Sequence, residues 1–175
     1  MTVIVLNGTS SSGKSSIAAE LLSILDDTYY HLPRDAFNAM RARRPVDDEQ
    51  LESILDKMVR GYHRAVAGMA ATGNNVIADH VVRERSWALD LLDVLSGDVV
   101  LVGVRCPLPE LIRRETERGD REPGIAARQY DRVHRDLPYD LTVDTSVESP
   151  RECALRVARF VESAALRRFE ARGVE

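Results

Sequence analysis

This chain has little with which to cross-link, stack or span a membrane. Its 175 residues include two cysteines, one tryptophan and three phenylalanines, and aromatic side chains make up only 5%. Cys106 and Cys153 lie far apart with no metal-type spacing near either, which excludes a zinc knuckle and a disulfide framework. They read as ordinary buried thiols of a reducing compartment. No apolar run approaches the roughly 20 residues of a membrane-spanning helix. The net charge of −4 excludes a broadly basic surface of the kind that holds nucleic acid. Strand-like residues begin within three positions of Met1, so no signal segment is read there, and a soluble cytoplasmic protein is expected. No internal repeat, low-complexity tract or linker is evident. What remains, 44% hydrophobic and 30% charged residues, suits one well-buried core, so a single domain over residues 1–175 is expected.

The most informative segment is Leu6-Asn7-Gly8-Thr9-Ser10-Ser11-Ser12-Gly13-Lys14-Ser15-Ser16-Ile17. Gly8 to Ser15 match the phosphate-loop pattern G-x-x-x-x-G-K-[ST] without a mismatch. Val3-Ile4-Val5-Leu6 before it is a β-branched apolar stretch. Ile17, Ala18, Leu21, Leu22 and Leu25 after it are apolar at helical spacing. A strand, a glycine loop and a helix place backbone N–H groups and the positive end of the helix dipole around an anion. Lys14 can then reach the β- and γ-phosphates, and the Ser15 hydroxyl can ligate Mg²⁺. Gly8, Thr9, Ser10, Ser11, Ser12, Gly13, Lys14, Ser15 and Ser16 therefore form the expected cradle for a nucleoside triphosphate, ATP, with Lys14 also a catalytic candidate.

Downstream, strand-like runs alternate with helix-length amphipathic segments. Tyr29-Tyr30-His31-Leu32 reads as a second strand, ended by Pro33. Helices are expected over about 47–71, 86–95, 107–118 and 149–168, and further strands at Val76-Ile77-Ala78-Asp79, Val99 to Val104 and Leu141 to Asp144. Five strands alternating with helices predict an α/β fold, a parallel sheet covered on both faces. Arg41-Ala42-Arg43-Arg44-Pro45 reads as an exposed loop and Ala171 to Glu175 as a frayed end. The outer face of the 47–71 helix is the surface available for a homo-oligomer.

In open α/β sheets ligands sit beyond the carboxyl ends of the strands. Asp35, three residues past the second strand, is placed to take the proton of an acceptor hydroxyl, or to cap a helix beginning at Ala36. Asp79, at the end of the third strand, is placed to hold Mg²⁺ with Ser15, to help orient the acceptor, or to serve a turn. The run from Arg113 to Arg121 has the composition of a solvated helix face. Yet Arg114 and Arg118 share one side, Gly119 breaks the helix, and Arg121 and Arg128 follow. Residues about 114–130 are thus read as a lid whose Arg118, Arg121 and Arg128 grip phosphate oxygens by their planar forks. His80 and His134 have no metal-spaced partners and read as polar groups at the cleft or the surface. Trp87 reads as core. Arg105 and Cys106, at the end of the fourth strand, stand near enough to approach either ligand.

These motifs, together with Val102-Gly103-Val104-Arg105-Cys106, Gly124 to Gln129, Val133-His134 and Tyr139 to Ser146, resemble the chloramphenicol 3-O-phosphotransferase family over nearly the whole chain. The resemblance implies a shikimate-kinase-like small-molecule kinase that uses ATP and Mg²⁺, with Asp35 as the base and Arg118, Arg121 and Arg128 on the lid. Two departures bear on the acceptor. The stretch from Met40 to Glu52 is shorter and arginine-rich, and Asp79-His80 stands where the family has Asp-Asp. His80, Asp79, Asp35 and Arg43 are accordingly the expected acceptor contacts, and a wall of Arg41, Arg43 and Arg44 suits an acidic or highly oxygenated molecule. The expected reaction is transfer of the γ-phosphoryl group to a hydroxyl, with chloramphenicol or a related antibiotic the first acceptor. A polyol, nucleoside or biosynthetic intermediate is the alternative within that class, and a nucleotide-driven regulatory ATPase the alternative outside it.

Overall fold

The computed structural model describes residues 1–119 and 124–172, with side chains as far as residue 167. Its frame is a five-stranded sheet: β1 (Thr2–Asn7), β2 (Tyr29–Pro33), β3 (Asn75–His80), β4 (Asp98–Arg105) and β5 (Leu141–Asp144). The strand order is β2-β3-β1-β4-β5 and every pairing is parallel. Strands β1 and β3 are apolar along most of their length because side chains on both faces enter a core. Pro33 lacks a donor N–H, yet it ends an edge strand, where no ladder bond is lost.

Alternation along the strands assigns residues to two apolar layers. Ile4, Leu6, Ile77, Val102 and Val143 pack with α1 (Lys14–Ile24) and α7 (Pro150–Arg172). Val3, Val5, Val76 and Ala78 pack on the opposite face with α3 (Asp48–Ala71) and α4 (Arg85–Val94). Helix α3 begins in a capping box. The Gln50 N–H donates to Asp47 Oδ1 at 2.8 Å, and the Asp47 N–H donates to Gln50 Oε1 at 3.3 Å. Asp47 is therefore the cap of this helix rather than its first residue. Trp87 is in the core, 3% exposed, its indole N–H donating to Asp56.

Some expectations are corrected. Leu22 faces solvent at 45% exposure, because the buried stripe of α1 runs through Ile17, Ala18 and Leu21. Two short helices complete the set: α2 (Arg34–Ala39), begun two residues before the Ala36 start weighed from the sequence, and α6 (Ile125–Tyr130), which lies in the expected helical lid and follows α5 (Leu108–Arg118). Both cysteines are free and buried. Among the described residues no helix is long and apolar enough to cross a membrane.

All five strands point the same way, so their carboxyl ends share one edge. Within it the register sets Asp79 beside Leu6 on one side and Pro33 on the other. The phosphate loop, the α2 start and the end of β3 thereby converge.

Candidate functional site

The loop after β1 is held from three sides. Gly8 packs so closely that an added Cβ would sit 2.4 Å from the Val104 carbonyl oxygen. Gly13 adopts φ +90° as the residue before α1, a left-handed conformation that favours glycine. Asn7, fully buried, donates to the Val133 carbonyl at 2.8 Å and the Tyr139 hydroxyl at 2.6 Å while accepting the Val82 N–H at 2.8 Å. One amide thus locks the end of β1 to the segments following β3 and α6. The Ser10 N–H donates to Gln129 Oε1 at 2.9 Å, and the Thr145 hydroxyl donates to the Ser12 carbonyl at 2.8 Å.

A cavity of about 480 Å³ opens over this loop, lined by Ser11, Gly13, Lys14, Ser15 and Ser16 together with Asp35, Asp79 and Arg118. Lys14, 7% exposed, donates to the Thr9 carbonyl at 2.8 Å and lies 4.0 Å from Asp79. The Ser15 hydroxyl donates to Asp79 Oδ2 at 2.5 Å. Burial alone would push the Asp79 carboxyl up, but His31, Lys14 and Ser15 outweigh it and hold the group below its ordinary value. The residue is therefore an anion at neutral pH. A serine hydroxyl and a carboxylate in contact are hard oxygen donors of the kind Mg²⁺ uses alongside waters and phosphate oxygens, and the pair fits that ion. Among the described residues no cluster of three or more His, Cys, Asp and Glu side chains forms a denser metal cage.

Asp35 is in the first turn of α2, capped by Pro33, rather than a cap itself. Its carboxylate, 47% exposed, accepts from Arg34 at 2.8 Å. Arg34 and Asp35 line both the phosphate-loop cavity and a neighbouring one of about 470 Å³, which Arg43, Arg83, Arg128 and Gln129 also line. Asp35 thus stands on the wall between the two.

On the arm formed by α5 and α6, Arg118 borders the first cavity and Arg128 the second. Arg114 is tied down, donating to the Thr145 hydroxyl at 3.0 Å and carbonyl at 2.7 Å. Arg113 pairs instead with Glu110 and Glu117. Arg121 lies outside the described residues. Buried Glu115 accepts the Gly124 and Ala126 N–H groups at 2.8 and 3.0 Å, tying α5 to α6.

His80 is not an acceptor contact. Its ring is 1% exposed, accepts the Val81 N–H and meets His63 at 2.9 Å inside the core. Arg105 is exposed and Cys106 is buried beside Leu111 and Ala126, and neither lines either cavity. Of the arginine-rich loop only Arg43 reaches a cavity; Arg41 turns to Asn38 and Arg44 stays outside. Arg34, Arg83, Asn7, Gln129 and Thr145 carry no individual signal in the sequence, and Arg114 shows only its shared side with Arg118. The segments carrying Arg114, Gln129 and Thr145 belong to the stretches that resemble the family, which was the available signal.

Solved structures share this fold. The M. tuberculosis APS kinase in complex with AMPPNP and APS superposes with a TM-score of 0.71 at 20% identity, covering 92% of this chain and 97% of that one. Shikimate kinase from Acinetobacter baumannii in complex with shikimate gives 0.64 at 15% identity, covering 94% of each chain. These likenesses establish the P-loop kinase fold. A protein of M. tuberculosis (strain ATCC 25618 / H37Rv), provisionally named an O-phosphotransferase, is 34% identical over 176 residues, 87% of this chain and 78% of its own length. The family described as chloramphenicol phosphotransferase-like protein matches residues 1–162. With its phosphate loop, paired Ser15 and Asp79, and parallel sheet, this chain is a kinase-like O-phosphotransferase of P-loop fold and belongs to the chloramphenicol phosphotransferase-like family.

Proposed function

We propose that this protein transfers the γ-phosphoryl group of ATP to a hydroxyl of a small molecule. The observation that carries the reading is the placement of Asp35 on the shared wall of two adjoining cavities. One of these is built on the phosphate loop. A carboxylate there can accept the proton of an acceptor hydroxyl as it attacks the phosphoryl group, while the loop N–H groups hold the donor in line. Lys14 contributes positive charge where negative charge spreads over the transferred group. Ser15 and Asp79 would hold Mg²⁺, which supplies charge neutralisation between the phosphates. Arg118 and Arg128 on the α5–α6 arm act as a lid that keeps water out. Family membership makes chloramphenicol or a related hydroxylated antibiotic the first acceptor to try.

The test is ATP consumption with Mg²⁺, with and without chloramphenicol and a panel of hydroxylated antibiotics and polyols, with mass spectrometry of the products. Acceptor-stimulated turnover that yields one added phosphate, and that falls about 10²–10⁴-fold in Asp35→Asn while ATP still binds, is the expected result. ATP hydrolysis indifferent both to every acceptor and to Asp35→Asn would overturn the reading in favour of a regulatory ATPase.

A further inference from the structure

The second cavity is strongly unbalanced in charge. Arg34, Arg43, Arg83 and Arg128 line it, and Asp35 is the only carboxylate among its described lining residues. That carboxylate is already paired with Arg34 at 2.8 Å. Arg43 makes no hydrogen bond or ion pair within the described residues. The buried Nε atoms of Arg34 and Arg83 have no hydrogen-bond partner. Arg83 is held in place from behind, its guanidinium 5.2 Å over the Trp87 ring and its Nε 3.5 Å from Glu84. Burial pushes Arg83 below its ordinary value; Arg132 and Arg34 add to this and Glu84 opposes it. A guanidinium stays protonated throughout the working range, so the excess of positive charge along the described lining persists at every working pH.

Leu51, Leu55 and Ile125 complete the lining, which makes the cavity amphipathic: apolar on one side, cationic on the other. A neutral alcohol entering it displaces water from several guanidinium groups without compensating them. An anion compensates them in two-pronged geometry, because the planar fork of arginine matches the oxygens of a carboxylate or phosphate. The same molecule must present a hydroxyl to Asp35.

We propose that the acceptor is an anionic alcohol, a hydroxy acid or a phosphorylated polyol, whose negative group is held by Arg43 and Arg83 while its hydroxyl faces Asp35. This rests on the kinase reading above and adds the acceptor class to it. It also reassigns the arginine wall: of the three loop arginines only Arg43 takes part, joined by Arg83 from the segment after β3.

Calorimetry on the full chain, with Mg²⁺ and saturating AMPPNP filling the phosphate loop, tests this directly. Charged and uncharged partners are compared: D-gluconate against D-sorbitol, glucose 6-phosphate against glucose, and shikimate against its methyl ester, with chloramphenicol as a further neutral ligand. At least one anion should bind about tenfold or more tighter than its neutral counterpart. That preference should shrink as salt rises from about 50 to 300 mM. Arg43→Ala and Arg83→Gln should each erase most of it. The hydroxy-acid and phosphate arms separate the two sources of charge.

The inference is overturned if neutral members bind as tightly as their charged partners. It is equally overturned if no anion binds while AMPPNP is bound, or if both arginine variants keep the full preference. Turnover stimulated by neutral alcohols alone would leave the kinase standing and remove the anionic acceptor. Anion binding abolished by Arg43→Ala, with no phosphoryl transfer to anything tested, would keep the anion site and count against the kinase.

Discussion

His63 Nε2 and His80 Nε2 lie 2.9 Å apart in the core, and the groups around them dictate where each proton sits. The Val81 N–H donates to His80 Nδ1 at 2.8 Å, so the His80 proton is on Nε2 and is donated to His63. The His63 proton is then on Nδ1, donated to Asp90 Oδ2 at 2.6 Å. A chain of one-way hydrogen bonds runs from the backbone just past Asp79 to Asp90, where Arg60 and Arg64 close it. Through the Val81 N–H it is joined to the turn that carries Val81 and Arg83 to the cavities.

The pair should make the fold acid-sensitive. Burial lowers the affinity of both histidines for a proton, most strongly for His80, and His134 is pushed down to about 4, mainly by burial. Above the unfolded value of about 6.5 these rings are neutral in both states and contribute no slope. As pH falls below it, the unfolded chain takes up protons that the folded chain refuses, so stability falls, and for His134 the loss continues to about pH 4. Each such ring adds at most about 1.4 kcal/mol per pH unit. Urea titrations at pH 7.5 and 5.5 should show the midpoint dropping. His63→Phe should be less stable by about 1–3 kcal/mol at pH 7.5, since it orphans the His80 Nε2–H. Its deficit should narrow at pH 5.5. Parallel curves for variant and parent would show that the pair does not titrate on unfolding.

Two glycines make opposite predictions. At Gly8 an added Cβ meets the Val104 carbonyl at 2.4 Å and Ser12 Oγ at 2.7 Å, and the first of these is backbone that cannot step aside. Gly8→Ala should therefore destabilise by about 1–3 kcal/mol and weaken AMPPNP binding together. At Gly61, inside α3, an added Cβ meets nothing within 4 Å. Gly61→Ala should raise stability by about 0.5–1 kcal/mol through helix propensity alone. Thermal melts in the presence and absence of AMPPNP check both. A Gly8→Ala protein that binds nucleotide like the parent would contradict the packing argument.

Much of the candidate site is legible in the sequence, for reasons that particular residues make clear. The pattern from Gly8 to Ser15 ties backbone geometry to side-chain chemistry, so cradle, strand and helix follow together. Asp79 was legible because a carboxylate closing an apolar run must emerge at the carboxyl edge of the sheet. His80, one residue later, has the same polar look, yet its ring enters the core and finds His63 on α3. That partner is 17 positions away in sequence, and no local pattern reveals it. Helices α2 and α6 are six residues each, too short for a 3.6-residue period to show. Arg34 and Arg83 look like any surface arginine in the sequence; only the folding of β2 against β3 brings them to one cavity.

The contact between Ser15 and Asp79 predicts the metal dependence. Ser15→Ala removes one hard oxygen and leaves the Asp79 carboxylate without the hydroxyl that it accepts from at 2.5 Å. The Mg²⁺ concentration for half-maximal turnover should rise about tenfold or more, with a smaller loss at saturating Mg²⁺. EDTA should abolish turnover in the parent. Asp79→Asn should be the more severe, since it removes the charge that faces both Lys14 and His31. Turnover of Ser15→Ala with an unaltered Mg²⁺ dependence would dissociate this pair from the metal.

Glu115 should govern the proposed lid. Its carboxylate, 5% exposed, is shared between two backbone N–H groups at the start of α6, and so couples Arg118 at the end of α5 to Arg128 on α6. Glu115→Ala leaves both donors unpaired, at roughly 1–3 kcal/mol each if they stay buried, so the arm should loosen instead. A loosened arm admits water to the phosphate loop and holds the nucleotide less firmly. The expected signature is a higher KM for ATP together with more acceptor-independent hydrolysis. Glu115→Gln should fall between parent and alanine variant, because its carbonyl can satisfy one N–H while its amide opposes the other. Steady-state kinetics with and without acceptor separate this from simple instability. A merely destabilised enzyme loses both activities in proportion, whereas a leaking lid raises the hydrolysis while the transfer falls.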